Sequence, residues 1–183
     1  MKTIELRRWT RSEYHKMIEA GLFAPEERVE LVEGEILRMT PQASAHFTAI
    51  RPAEKAAARA FGAGFEVRAQ APLALTRDSE PQPDIAIVRG SPRDYAAAHP
   101  ATALLLIEVS DTTLDYDRHS KAGLYAQAAI RDYWIVNLVD RCLEVYRKPG
   151  PHSYQSKQCF LPGDSLSPLA APHADIAVSD ILP

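Results

Sequence analysis

The chain has 183 residues, 46% of them hydrophobic and 25% charged, with a formal net charge of −3. That is the make-up of a globular protein long enough to bury a core without covalent staples, and one domain spanning 1–183 is expected. The two cysteines, Cys142 and Cys159, form no C-x-x-C pair, which argues against a structural zinc site, and nothing suggests an oxidising compartment. The opening MKTIELRRWTRSEY lacks the apolar stretch of a signal peptide, and the longest apolar run, residues 101–107, is far too short to span a bilayer, so no membrane partner and a cytoplasmic location are expected. Proteins that live by general phosphate binding are usually basic; the acidic balance argues mildly against tight, unassisted nucleic-acid binding and leaves room for a local basic groove.

In chain order, Thr10 with Glu13 three residues on is a capping-box pattern, and Tyr14, Met17 and Ile18 follow at helical spacing until Gly21. Residues 28–39 read RVELVEGEILRM, with Val29, Leu31 and Ile36 alternating around Glu33-Gly34, a β-hairpin signal. Thr40-Pro41 opens an alanine-rich helix over roughly 42–61, which Pro52 is expected to kink or interrupt. Residues 65–75 read as one long strand, 77–83 as a polar loop, and 85–88 as a short buried strand introduced by Asp84. A connection with a helical turn near 95–99 leads to the most apolar strand, 103–109, of the kind covered on both faces. A third helix over about 115–129, two strands at 133–138 and 142–146 around an Asp140-Arg141 turn, and a hairpin arm with an irregular tail complete the chain. The order predicts a mixed α/β (α+β) fold.

Two acids sit where the pattern asks for apolar residues. Asp84 opens a buried strand and Glu108 lies inside ALLLIEVS. A bare buried carboxylate costs several kcal/mol unless it is paired or binds a cation. If the two strands are antiparallel neighbours, the start of the first lies beside the end of the second, and the acids converge as a hard-oxygen site suited to Mg²⁺. Each acid alone has an ordinary reading, Asp84 as a turn residue and Glu108 as half of a salt bridge.

Lys121 falls thirteen residues after Glu108, roughly 9 Å along the helix axis from Asp115. Its side chain could lean back to the cleft, but spacing alone favours an exposed lysine paired at i,i+4 with Asp117. Glu30, on an alternating strand, reads as solvated. His46 reads as a cap or a near-site group, Gln70 as a mid-strand amide that needs a partner, and Tyr125, Tyr133 and Trp134 as core aromatics. No glycine-rich phosphate loop, G-x-S-x-G or H-E-x-x-H is present.

The strings ERVELVEGEILRMTPQASAH, SEPQPDIAIV, LLLIEVSDTTLDYDRHSKAGLYA and YWIVNL together resemble the Uma-two family of bacterial endonucleases, from about Thr10 to the C-terminus. That family is similar to restriction-endonuclease-like folds of the PD-(D/E)xK superfamily, so the resemblance implies a mixed central sheet flanked by helices. In the usual pattern a lysine lies two residues after the second acid; here that position is Ser110, and the family's migrated lysine falls on Lys121. The resemblance therefore implies Asp84 and Glu108 as metal ligands, Lys121 as the catalytic lysine, Glu30 as a supporting acid and, more weakly, Gln70 beside the cleft. Where the family commonly has A-G-I-P-E-Y-W, this chain has AAIRDYW, a change in a turn and not in a ligand.

The expectation is a nuclease that hydrolyses phosphodiester bonds of DNA with Mg²⁺ or Mn²⁺, the Val109 carbonyl serving as a further ligand and Lys121 stabilising the transition state. A second copy of the chain as a homodimer partner stays open. So does a different class altogether: a nucleic-acid- or protein-binding module that retains the fold and the acids without hydrolysis, or a component of a mobile-element or toxin-like system.

Overall fold

The computed structural model describes residues 5–39 and 44–183. The expected start of the second helix at Thr40, Pro41 and Gln42 lies outside the described residues. Among the described residues no helix is long and apolar enough to cross a membrane.

Helix α1, Arg11–Glu19, starts with the complete capping box read from the sequence: the Thr10 side chain accepts from the Glu13 N–H, and Glu13 accepts from the Thr10 N–H. The hairpin follows as β1, Val29–Val32, and β2, Glu35–Arg38. Its two-residue turn, Glu33-Gly34, has both φ angles positive, which matches the twist of the flanking strands. Helix α2, Ser44–Phe61, runs through Pro52 without interruption. Its alanine face, Ala49, Ala53, Ala56 and Ala57, is fully buried, so tertiary packing holds the helix where one backbone bond is lost.

Six strands form the central sheet in the order β3-β4-β5-β6-β7-β8: Phe65–Ala69, Ile85–Arg89, Leu105–Ser110, Asp132–Asn137, Cys142–Pro149 and Tyr154–Phe160. All neighbours are antiparallel except β5 and β6, which are parallel. The long strand expected over 65–75 stops at Ala69, because Gln70 takes a left-handed backbone (φ 50°), and beyond it Leu73 and Ala74 bond to Pro81 and Pro100 instead of a neighbouring strand. The helical turn expected near 95–99 is a 3₁₀ turn at Pro92–Tyr95. The tail is more ordered than expected, with β9, Ser165–Leu166, paired to β10, Ile176–Ala177.

The parallel pair requires a crossover, and the third helical stretch supplies it. It has three parts: α3, Leu114–Tyr116; a π-helical turn, Asp117–Lys121; and α4, Ala122–Gln127. Strand alternation sorts the core. Ile107, Val109, Trp134 and Val136 face α2 and the C-terminal segment, while Leu106, Tyr133 and Ile135 face α3–α4. Glu108, between Ile107 and Val109, therefore points to the crossover side.

Candidate functional site

The register of β4 on β5 places Ile85 opposite Ile107, so the next step sets Asp84 beside Glu108. Here β5 outruns β4, and the acids close the fork. The Asp84 N–H donates to Glu108 Oε2 (3.2 Å), and the Val109 N–H donates to Asp84 Oδ2 (2.9 Å). The carboxylates converge as the antiparallel expectation required. Both residues are buried, at 6% and 3% exposure.

Lys121 is buried as well (3%), which overturns the surface pair expected from spacing. Its ammonium donates to Glu108 Oε1 at 3.0 Å and stands 3.8 Å from Glu30 Oε1. Asp117 is occupied elsewhere: its carboxylate accepts from the Ser110 and Thr113 hydroxyls. The sequence offers no sign of the π-turn that carries both residues. Such a turn inserts a residue into the helical phase and is frequent at functional sites.

Glu30 is not solvated. All four residues of β1 are buried, because the hairpin packs back over the cavity, and Glu30 Oε2 accepts from the Gln82 N–H at 2.9 Å. Its Oε1 is buried with no hydrogen-bond partner. His46 Nε2 lies 3.3 Å from Asp84 Oδ2, and the Gln70 amide, at the end of its strand and not in the middle, donates to Asp84 Oδ1 at 3.3 Å. Val109 lines the same cavity, with its N–H held by Asp84.

Two groups were underrated from sequence. The Tyr125 hydroxyl, read as a core aromatic, is a second donor to Glu108 Oε1 at 2.7 Å. The i,i+4 spacing of Lys121 and Tyr125 was the available signal. Asp117 belongs to the cavity wall, and its i,i+4 spacing to Lys121 points to a surface pair instead.

Charge in the site follows from burial and neighbours. Burial lifts the Glu108 carboxyl to about 8; Asp84 and Asp117 add to this, and Lys121 and Tyr125 oppose it. Burial also raises Asp84, but the hydrogen bond and charge of His46, with the Val109 N–H, outweigh it and leave Asp84 below its ordinary value. Burial disfavours the Lys121 charge, yet Glu108, Glu30, Asp117 and Asp84 around it hold its pKa well above the usual value. Burial would lower His46, and Asp84 reverses that into a net rise.

The cavity has a volume of about 640 Å³. Five carboxylates line it, from Glu30, Asp84, Glu108, Asp111 and Asp117, against Lys121, Arg38 and His46. It is an acidic pocket and not the local basic groove left open by the net charge. Among the described residues no three histidine, cysteine or acidic side chains are gathered as a preformed metal cage. The donor chemistry nonetheless fits a hard cation: all three central acids offer oxygen, and Glu30 Oε1 is a buried acceptor without a donor.

A mixed sheet with helices on both faces, acids at the fork of two central strands and a lysine on the crossover define a restriction-endonuclease-like fold. A solved structure described as a putative nuclease belonging to DUF820, from Anabaena variabilis ATCC 29413, superposes with a TM-score of 0.69 over 94% of this chain and 96% of that one. At 18% identity that likeness shows the fold. The model of the Uma2 family, described as "Putative restriction endonuclease", matches residues 11–179, and the chain belongs to that family. No curated protein matches it.

Proposed function

We propose that this chain is a divalent-metal-dependent nuclease that hydrolyses phosphodiester bonds of DNA, with Asp84, Glu108 and Lys121 as its catalytic residues and Glu30 as a supporting acid. The observation that carries the reading is the placement of Lys121 Nζ against Glu108 Oε1 at the fork that Asp84 closes. A buried lysine shared among carboxylates is a poor device for stability alone, since replacing such a cluster as a whole by apolar residues of similar volume is often neutral or stabilising. Asp84 and Glu108, with the Val109 carbonyl, would hold Mg²⁺ or Mn²⁺. The bound ion would supply Lewis acidity, easing deprotonation of water and offsetting charge on the phosphate. Lys121, freed from part of its hold on Glu108, would donate to the phosphoryl oxygens as their charge grows. His46 and Gln70 orient Asp84, and Tyr125 orients Glu108.

The test combines calorimetric Mn²⁺ titration with cleavage of single- and double-stranded DNA and RNA in Mg²⁺ and Mn²⁺. Wild type should bind metal and cleave DNA. Asp84→Asn should bind metal weakly and not cleave, while still folding in chelator with a melting temperature somewhat below wild type, because the fold favours the ionised carboxylate that His46 and the Val109 N–H hold. Lys121→Ala should bind metal and lose rate. A wild type that binds no metal and cuts no substrate, or an Asp84→Asn variant that cuts as well as wild type, defeats the proposal and leaves a non-catalytic binding module as the better account.

A further inference from the structure

Two residues that line the site cavity each carry a buried polar atom without a hydrogen-bond partner, the acceptor Glu30 Oε1 and the hydroxyl of Tyr116. The third such atom among the described residues, Arg68 Nε, does not line it. A buried unpaired hydroxyl is costly, and native structures pair such groups with protein, water or ligand. The chemistry of the two atoms differs in sign. A carboxylate oxygen only accepts, and Glu30 Oε1 has the Lys121 ammonium 3.8 Å away, whereas a tyrosine hydroxyl can also donate and as a donor suits an anionic oxygen.

The π-turn makes the placement specific. Tyr116 immediately precedes it and Lys121 ends it. Because a π-turn closes i→i+5, residues five apart approach one another, and Tyr116 and Lys121 come to the same cavity. The cavity otherwise presents mostly carboxylates to an incoming phosphodiester, and the Arg38 side chain is 77% exposed with its Nε bridged to Glu27. Lys121 already donates to Glu108. Among the described lining residues the Tyr116 hydroxyl is the buried donor with no partner to give up.

We propose that Tyr116 is a substrate-binding residue whose hydroxyl donates to a non-bridging oxygen of the phosphodiester, beside Lys121. The proposal rests on the nuclease reading above and adds the residue that receives the anion. It implies that the hydroxyl serves the ligand and not the fold.

The test is Tyr116→Phe, which removes one oxygen. Three measurements are made on the full chain: melting temperature in chelator, affinity for a fluorescein-labelled DNA oligonucleotide in Ca²⁺ by anisotropy, and cleavage rate in Mn²⁺. Expected are a melting temperature equal to or above wild type, and an oligonucleotide affinity reduced roughly 10- to 100-fold, the equivalent of one hydrogen bond to a charged group. The cleavage rate should fall with it. A melting temperature below wild type overturns the inference, because the hydroxyl then serves the fold. A variant that binds and cleaves like wild type also overturns it, and leaves the nuclease reading standing. A wild type that neither binds the oligonucleotide nor cleaves it overturns both.

Discussion

Lys121 Nζ lies 3.0 Å from Glu108 Oε1 and 3.8 Å from Glu30 Oε1, so one ammonium joins the central strand β5 to the hairpin strand β1 across the cavity. All three side chains are at most 4% exposed. Charge compensation in this cluster is local, and deleting its cation leaves acids with little solvent to turn to.

Lys121→Ala should therefore destabilise the metal-free protein by about 3 kcal/mol, the lower end for breaking a buried pair from one side. Lys121→Met restores most of the packing but none of the charge and should cost nearly as much. Urea denaturation in chelator measures both. If Met restores wild-type stability, the lysine acts only through its aliphatic stem.

The sequence made the two acids visible because each interrupts an apolar strand, and strand pairing then dictates that they meet. Lys121 was not visible in that way. Its i,i+4 spacing to Asp117 mimics a surface pair, and the π-turn that changes the phase has no residue signature. Glu30 sits on a strand that alternates like a half-exposed one, yet the hairpin folds over the cavity and both faces are covered, a tertiary effect that local periodicity does not encode. His46 meets Asp84 across thirty-eight residues with no spacing to announce it. The early end of β3 rests on one backbone angle at Gln70, and glutamine carries no strong preference that would flag it.

Glu144 predicts an acid limit to stability. It is 2% exposed in its side chain and accepts from Arg118, Asn137, Tyr146 and Lys157. Burial would raise its carboxyl, but these hydrogen bonds outweigh it and hold it at about 2. The folded value lies below the ordinary one near 4.5. The stabilisation is thus complete above about 4.5 and is lost as pH falls toward about 2. Denaturation of wild type and Glu144→Gln between pH 6 and pH 2.5 should show the two curves converging in acid. Parallel curves would remove Glu144 from the account.

Gly34 fixes the hairpin that carries Glu30. Its φ is 76°, and a Cβ there would stand 2.6 Å from the Arg8 Cβ. Gly34→Ala meets both a backbone penalty and a clash, and a loss above about 1 kcal/mol is expected. Because the hairpin must shift to relieve it, Glu30 moves too, and nuclease activity should fall more than the change in folded fraction explains. Unchanged activity in the folded fraction would separate Glu30 from the reaction.

Ala129 is the converse case, a position where glycine is missing. The crossover ends in a Schellman arrangement: Ala129 N–H bonds to the Ala126 carbonyl, and Ile130 N–H bonds to the Tyr125 carbonyl. That geometry needs a left-handed residue between them, and Ala129 supplies it at φ 57°. The family pattern that this stretch resembles has glycine here, so the AAIRDYW variation falls on the one turn position where a Cβ is unfavourable. An L-residue other than glycine costs about 1 to 2 kcal/mol in that conformation, partly offset because glycine loses more entropy on folding. Ala129→Gly should then stabilise the protein by up to about 1 kcal/mol in thermal or urea unfolding. Ala129 is not among the described residues that line the cavity, so the substitution should leave metal affinity and cleavage rate unchanged. A destabilised Ala129→Gly variant would mean that the alanine methyl packs favourably enough to outweigh its backbone strain, and that the turn, as built, is already optimal for this chain.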